Sequence, residues 1–571
     1  MNAAKRSDWH AVIIITVAWM ALVFVVNPTG NFPLIDDWSY ARSVQGLLNE
    51  HALKYDGWNS PTLFFQLLYG AAFCWVFGFS FETLRYSTLV AGLAGCIGAY
   101  FMLRVVTPKR RIALLGSAVL LTNPVYFQHA FTFMTDVPFT ALAIISGTFF
   151  TRWLKSGANT DIVYGTAAAC CATLVRQIGV AIPCGLFVAV IVIDGIRTKT
   201  ALLSAVSFAA TCATLAVYNL TMEVLHMVPA MSGAMQRTIA ARSAQQGIWG
   251  FAESAAKEGF WVCVYIGIVL LPFVFMRAAH REWHNLSAVT RWLIAAICGA
   301  VAIVLSERSL PPYTPLQVFR VLPTGLVNAG PLVDPLGQIE PFPQLASVIT
   351  AFAFAFLVAV LVPFVIAARH RPRTDSRFIN ATTLFGLATS AFMLVPAVLG
   401  GFMERYVIPA IPFLLLLLTA TWTEGHTAPT TWVGQLNRTM AFVTLALFAT
   451  LGVIYTHDVL VMNRTLWQAV DHLVNDIGVP PSRIDGGFPV NGWYLFASDP
   501  GTRDRFLHWQ VDRYPRGVQW WRNHQGDYVI CFNECPADPL TRSRQPKVIW
   551  SKPYSRWLPG TNGSIVVYAL R

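Results

Sequence analysis

Leu34-Ile35-Asp36-Asp37-Trp38-Ser39-Tyr40-Ala41-Arg42-Ser43 follows directly on the first hydrophobic run of an otherwise apolar chain. Two adjacent carboxylates, then a short amphipathic run to Glu50, are out of keeping with such surroundings. An Asp at the centre of a membrane helix costs roughly 2.5–3.5 kcal/mol on insertion scales, so acids this close to a bilayer usually have a use. Capping the helix that follows is one use for Asp36 or Asp37. A second acid, Asp136, argues for another, because the topology derived below places it on the same side of the membrane.

The chain is 55% hydrophobic and only 12% charged over 571 residues, so its length signals many membrane crossings rather than several soluble domains. A net charge of +12 would suit nucleic acid, but Lys and Arg cluster between hydrophobic runs, the positive-inside signature, and nucleic acid is excluded as a partner. Lys5 and Arg6 before Ala11–Val26 resemble a signal peptide; no small-x-small cleavage site follows, so the run is expected to be a retained first helix. Eight of the ten Cys lie in or beside apolar runs, where they act as small hydrophobes. Cys531 and Cys535 fall in a polar region, and a disulfide suits that spacing better than a metal.

Apolar runs occupy 10–26, 61–79, 83–104, 112–128, 137–154, 161–176, 178–195, 200–219, 259–276, 292–306, 346–368, 378–399, 406–422 and 439–456. If every run crossed, Lys109-Arg110-Arg111 would lie outside and Asp136 inside, against the positive-inside bias at several loops. Withdrawing one crossing before residue 109 repairs them all. The run 61–79, which opens Asn-Ser-Pro and carries Gln66 and Tyr69, is predicted to lie in the outer half of the membrane or along its surface. About thirteen spans remain. The N-terminus is then cytoplasmic and the C-terminus outside.

The outer face then carries loops 27–82, 129–136, 220–258 and 307–345, the last rich in Pro and expected to be an ordered irregular cover. The expected organisation is a transmembrane catalytic module over 1–456 and a small soluble periplasmic α/β domain over 457–571. That domain should hold a helix near 463–477 and strands at Tyr528–Phe532 and Ile565–Leu570. Gly92, Gly95 and Gly98 lie inside a hydrophobic helix, with no preceding strand and no Lys-Ser/Thr. They read as close helix packing rather than a phosphate loop.

If Asp36 and Asp136 face each other, one carboxylate can deprotonate an acceptor hydroxyl, a role typically worth about 10²–10⁴ in rate. Two such acids could also share a proton or hold a divalent cation. Capping the helix that begins Val137-Pro138 is the plain alternative for Asp136. Arg176 and Gln177 interrupt two apolar runs on the outer face, where a lipid phosphate would account for the charge. Glu404-Arg405-Tyr406, in a tight outer turn, offers either a local Glu–Arg pair or a second phosphate contact. His129, Arg237 and Arg242 are weaker candidates.

The order of these features resembles the GT-C superfamily of membrane glycosyltransferases, nearest to the branch with the lipid A aminoarabinose transferase and Rgt-type core transferases. Protein O-mannosyltransferases and oligosaccharyltransferase subunits are more distant. The resemblance covers residues 10 to about 456. It rests on Asp36-Asp37 followed by Ser-x-Tyr-Ala, Ser60-Pro61 opening a loop helix and Phe77-Gly78 closing it, and Arg85 starting a span. It continues through Asn123-Pro124, Asp136-Val137-Pro138, Leu174-Val175-Arg176-Gln177 and Arg405-Tyr406-x-x-Pro409. The resemblance implies an all-α polytopic fold with Asp36 as the base. Asp37 and Asp136 would shape the site or a metal, and Arg176 would face the phosphate of a polyprenyl-phosphate sugar. Gln177, Arg405 and Tyr406 would join Asp37 and Arg176 in binding the donor. It also implies inversion at the anomeric centre, a glycan, lipid or protein acceptor, and a place in the inner membrane. Asn59-Ser60-Pro61 departs from the Glu-Lys-Pro of the aminoarabinose transferase, which leaves phosphate binding to other residues. A transporter or flippase of lipid-linked sugars is the competing expectation, but carriers place charges near the midplane, often with repeats, and neither is apparent. A glycan-binding assembly partner without catalysis is the third.

Overall fold

In hydrocarbon a backbone amide finds no water, so apolar runs satisfy their polar groups internally and coil into helices. The computed structural model describes residues 3–278, 377–422, 432–507, 523, 525–533, 546–557 and 562–570. Its helices begin with α1 (Ala3–Val26), α2 (Asp37–Glu50), α3 (Phe64–Phe77), α4 (Phe81–Val106), α5 (Arg110–Thr122), α6 (Pro124–His129) and α7 (Asp136–Ser156). They continue with α8 (Asn159–Thr173), α9 (Ala181–Asp194), α10 (Lys199–Val224), α11 (Ala234–Ala278), α12 (Arg377–Leu399), α13 (Ile411–Ala420) and α14 (Trp432–Asp471). Among the described residues, eight helices are long and apolar enough to cross a bilayer, which makes this a multi-pass helical membrane protein.

Three expected spans are shorter than a crossing for local reasons. Run 112–128 is divided at Asn123, whose Oδ1 accepts from Val125 N (2.9 Å) and Tyr126 N (3.0 Å) to start α6 with Pro124 at its first position. Run 406–422 begins as two 3₁₀ turns, Glu404–Tyr406 and Ile408–Ala410, before α13. Run 161–176 stops at Thr173, so that Arg176 lies in extended backbone. Runs 292–306 and 346–368 and loop 307–345 lie outside the described residues. Segment 220–258 is largely helical rather than a loop: α10 continues to Val224, and α11 begins at Ala234 and kinks at Gly247, whose φ is +65°.

Helix α3 spans 14 residues, about 21 Å at 1.5 Å per residue, too short for a core of roughly 30 Å. Its Trp75, Val76 and Phe77 are exposed, as an apolar face meeting lipid would be. Two polar clusters show that α1 and α4 cross while α3 does not. At one end of the bundle, Asp8 Oδ1 of α1 accepts from Tyr100 Oη (2.6 Å), Arg104 Nε (3.1 Å) and Arg110 Nε (3.3 Å). The segment after α1 meets the start of α4 at the other end. There Arg85, 1% exposed, donates from Nη1 to the carbonyls of Pro28 (2.6 Å) and Gly30 (2.9 Å), and from Nη2 to Phe32 O (3.1 Å). Its Nε donates to Phe131 O (2.9 Å), which ties in the segment before α7.

Helix α4 packs closely through its small residues. A Cβ at Gly92 would stand 2.7 Å from the Trp19 ring, one at Gly98 3.0 Å from Ile144, and one at Gly95 would collide with the Tyr126 hydroxyl. The phosphate-loop alternative has no place here.

The last apolar helix does not stop near 456. Helix α14 runs unbroken past the expected boundary to Asp471, and the helix anticipated near 463–477 is its continuation, ending in a π turn over His472–Asp476. Its far end packs Leu466, Ala469, Val470 and Leu473 against Ile530, Ile565 and Val567 of a small sheet. The strands are β1 (Ile484–Asp485), β2 (Tyr528–Phe532), β3 (Pro546–Tyr554) and β4 (Gly563–Leu570), in the order β1-β2-β4-β3. β1 and β2 run parallel, and β4 is antiparallel to both β2 and β3. Cys531 is disulfide-bonded; Cys535 lies outside the described residues.

Arg85→Leu strips the donor from four carbonyls, each orphaned buried group costing about 1–3 kcal/mol. We expect it to lower the melting temperature in detergent well below that of Arg85→Lys, whose single ammonium retains part of the set. Scanning fluorimetry of the purified variants checks the order.

Candidate active site

Neither acid that opens a helix caps it. Asp36 occupies the N-cap position of α2 and Asp136 the first position of α7, yet neither helix start receives a side-chain cap bond. Asp136 is fully buried, and its Oδ1 accepts from Arg176 Nη1 at 2.8 Å. Asp36 is half-buried. Its Oδ1 accepts from Trp58 Nε1 at 2.8 Å, and its Oδ2 stands 4.0 Å from Arg405 Nη1. Both carboxylates act electrostatically on Arg405, so residues one hundred positions apart converge on one pocket.

Tyr406 lies between the two arginines. The Arg176 guanidinium carbon is 5.6 Å and the Arg405 guanidinium carbon 5.5 Å from its ring centre, within cation–π range. Two like charges are thus held near one ring, with a carboxylate beside each. Burial alone would lower the Arg405 pKa; Tyr406, Asp136 and Asp36 outweigh it and raise it, so the guanidinium is permanently charged. Burial pushes Asp36 above the ordinary carboxylate range, while Arg405 and the Trp58 hydrogen bond pull it back. His129 is fully buried, with Nδ1 on Val125 O at 2.8 Å; burial lowers its pKa, which favours a neutral ring.

Three polar atoms in this cluster have no hydrogen-bond partner among the described residues: Arg405 Nε, His129 Nε2 and Asp136 Oδ2. Buried donors are rarely left unpaired, and those that are commonly mark a place for a ligand. An anion would satisfy the Arg405 donor.

The other expected site residues hold the frame. Asp37 Oδ1 accepts from Leu34 N (2.8 Å) and Ile35 N (3.1 Å), and its carboxylate also receives the Phe133 amide. Burial pushes its pKa up to about 6. It therefore fastens the Asp36 loop to the Asp136 loop, the shape-giving role, with its oxygens turned to backbone. Gln177 Nε2 donates to Ser60 O at 3.0 Å, anchoring the entry to α3. Thr62 Oγ1 on Thr173 O (2.7 Å) and Leu63 N on Val175 O (3.1 Å) reinforce that anchor. The weaker candidates are local: Arg237 donates to Ser232 O and Ala230 O, and Arg242 Nη2 to Ser254 Oγ at 2.8 Å. Glu404 is buried, with its pKa pushed up to about 8 by burial against the opposing pull of Arg405.

Sequence reasoning passed over Trp58 and gave Arg85 no role. Asp56-Gly57-Trp58 lies between α2 and α3 and has an acid two residues before Trp where Asp37-Trp38 has one directly before it, a faint signal. As to a metal, no three His, Cys, Asp or Glu side chains gather among the described residues. Asp36 and Asp136 each have a guanidinium as their neighbouring cation.

No protein-family model and no curated protein matches the chain. Among solved structures, it is similar to ArnT from Cupriavidus metallidurans bound to undecaprenyl phosphate, at 13% identity and a TM-score of 0.41 over all of this chain and 98% of that one. It is similar also to the archaeal oligosaccharyltransferase AglB from Archaeoglobus fulgidus, in complex with an inhibitory peptide and a dolichol-phosphate. There the identity is 14% and the TM-score 0.41, over 83% of this chain and 58% of that one. A third is the arabinosyltransferase EmbB from Mycobacterium smegmatis, at 13% identity and a TM-score of 0.33, over 81% of this chain and 41% of that one.

Proposed function

We propose that this protein is a membrane glycosyltransferase that moves a sugar from a polyprenyl-phosphate donor to a hydroxyl-bearing envelope acceptor, at the outer face of the inner membrane. The observation that carries the reading is the convergence of Asp36 and Asp136 on the Arg405–Tyr406–Arg176 cluster, with Asp136 sealed and Asp36 and both guanidinium groups partly exposed. Asp36 takes the proton of the acceptor hydroxyl as its oxygen bonds to the anomeric carbon. The bond from that carbon to the phosphate oxygen breaks on the opposite face, which inverts the centre. The leaving phosphate gains negative charge as it departs, and Arg405 and Arg176 face that charge. Asp136 acts through Arg176 by fixing its guanidinium. Membrane lipids surround the donor chain. The sugar and the choice among lipopolysaccharide, another glycan or protein as acceptor stay open to experiment.

Glycan mass spectrometry on cells with and without the gene identifies the product. Complementation with Asp36→Asn should restore it at least 10²-fold more slowly than wild type; restoration at the normal rate removes Asp36 as base. Loss of lipid-carrier export with no altered glycan would instead favour a flippase.

Asp37→Asn keeps a carbonyl oxygen for the Leu34 and Ile35 amides, so it should retain activity far above that of Asp36→Asn in the same assay. Equal losses would contradict the division of roles between the two acids.

A base must be ionised to accept a proton. Because burial raises Asp36, the rate should fall with decreasing pH along an acid limb centred above the ordinary carboxylate value of about 3.9. Initial rates in detergent-permeabilised membranes, which retain the native donor and acceptor, give the profile.

A further inference from the structure

The segment that carries Asp36 is covered by the C-terminal unit, and the contact is aromatic. Trp38, fully buried, stacks on Trp58 with ring centres 6.3 Å apart. Helix Phe488–Leu495 supplies Phe488, helix Pro500–Leu507 supplies Phe506, and Phe496 lies between them. Trp58 meets Phe506 at 5.5 Å, Phe488 at 5.8 Å and Phe496 at 6.2 Å. Gly492 is required on this face, since a Cβ there would collide with the Trp38 ring. Arg42, one turn further along α2, donates to Trp493 O and lies 5.1 Å over the Trp493 ring.

The backbone of Trp58 is fixed separately. Asp56 Oδ1 accepts from Trp58 N (3.0 Å) and from Ser39 Oγ (2.6 Å), which locks the 56–58 turn onto α2. With the ring boxed and the backbone tied, the indole Nε1–H is aimed at Asp36 Oδ1. That bond occupies one carboxylate oxygen and leaves Oδ2 toward Arg405.

We propose that Trp58 is a positioning residue for Asp36, and that the C-terminal unit, through Phe488, Phe496 and Phe506, holds it in register. The C-terminal unit is then part of the active-site wall. The inference rests on Asp36 being the base. A hydrogen bond to an ionised carboxylate favours the ionised form, so its removal makes the acid harder to ionise. Among the described residues, the charged and titratable groups around Asp36 are Arg405, Asp136, Arg176 and Tyr40, with His129 behind Asp136, and removing the indole N–H alters none of these side chains.

The test uses full-length protein in detergent-permeabilised native membranes, following the glycan that disappears on gene deletion. Trp58→Phe keeps an aromatic ring and deletes the donor. We expect the acid limb of the pH–rate profile to move up by about one pH unit, with the rate largely recovered on the alkaline side. Phe506→Ala, which opens the box, should move the limb the same way; should it fail to accumulate, Phe488→Ala, which removes another ring from Trp58, serves as the Phe506 variant's replacement. A uniform loss of rate in Trp58→Phe with the limb unmoved would mean packing alone and overturn the assignment. A shift in Trp58→Phe without one in the Phe506 variant would overturn the role of the C-terminal unit. A slow Asp36→Asn alongside an unmoved Trp58→Phe limb sinks this inference only, whereas a fully active Asp36→Asn sinks the base assignment and this inference with it.

Discussion

One buried guanidinium assembles the end of the bundle where the candidate chemistry lies. Arg85 is the donor for carbonyls at 28, 30, 32 and 131, so the segment after the first helix and the segment before α7 are bound to the same side chain. Asp37 completes the junction from the acid side by taking amides from Leu34, Ile35 and Phe133. A charge buried without partners in a membrane protein is costly, and a fork of donors spent on irregular backbone is a way to stabilise both. The position of Asp36 relative to Asp136 is a consequence of that junction.

Within the pocket, two acids and two arginines bracket Tyr406 and reach an approximate balance of charge. Such a site can accept an anion at the guanidinium side, and it can keep one acid ionised beside it. The acids are unequal. Asp136 is sealed and committed to Arg176, while Asp36 retains exposure and one oxygen outside its indole bond. The inequality follows from where each stands: Asp136 opens a helix at the centre of the bundle, and Asp36 sits in a turn beneath the C-terminal unit.

Particular residues show where sequence reasoning ran short. Run 61–79 is withheld from crossing on charge bias together with its Asn-Ser-Pro opening, Gln66 and Tyr69, and α3 is too short to cross. At Arg176, a cation between two apolar runs, the sequence calls for an anion, and the structure places Asp136 at 2.8 Å. Charge bookkeeping along a chain identifies the need for a partner and is silent on which partner, since that depends on contacts between helices distant in sequence. The boundary near 456 was drawn where apolarity fades, but a helix does not end there: backbone bonding continues through polar residues wherever a second core, here the small sheet, receives the next turns.

The linear order of apolar runs, basic clusters and isolated acids determined that the chain is helical, crosses the membrane repeatedly, and carries Asp36, Asp136, Arg176 and Arg405 at helix ends. Those properties depend on local free energies, the transfer of side chains to hydrocarbon and the placement of charge at its edge. Only the tertiary structure decided that Asp37 and Gln177 serve the backbone, that Arg85 joins the loops, and that Trp58 reaches Asp36 beneath Phe488, Phe496 and Phe506. Apart from the local bonds of Asp37 to Leu34 and Ile35, these pairings join residues 22 or more positions apart, and nothing in a period of 3.6 residues or a run of apolar residues encodes them.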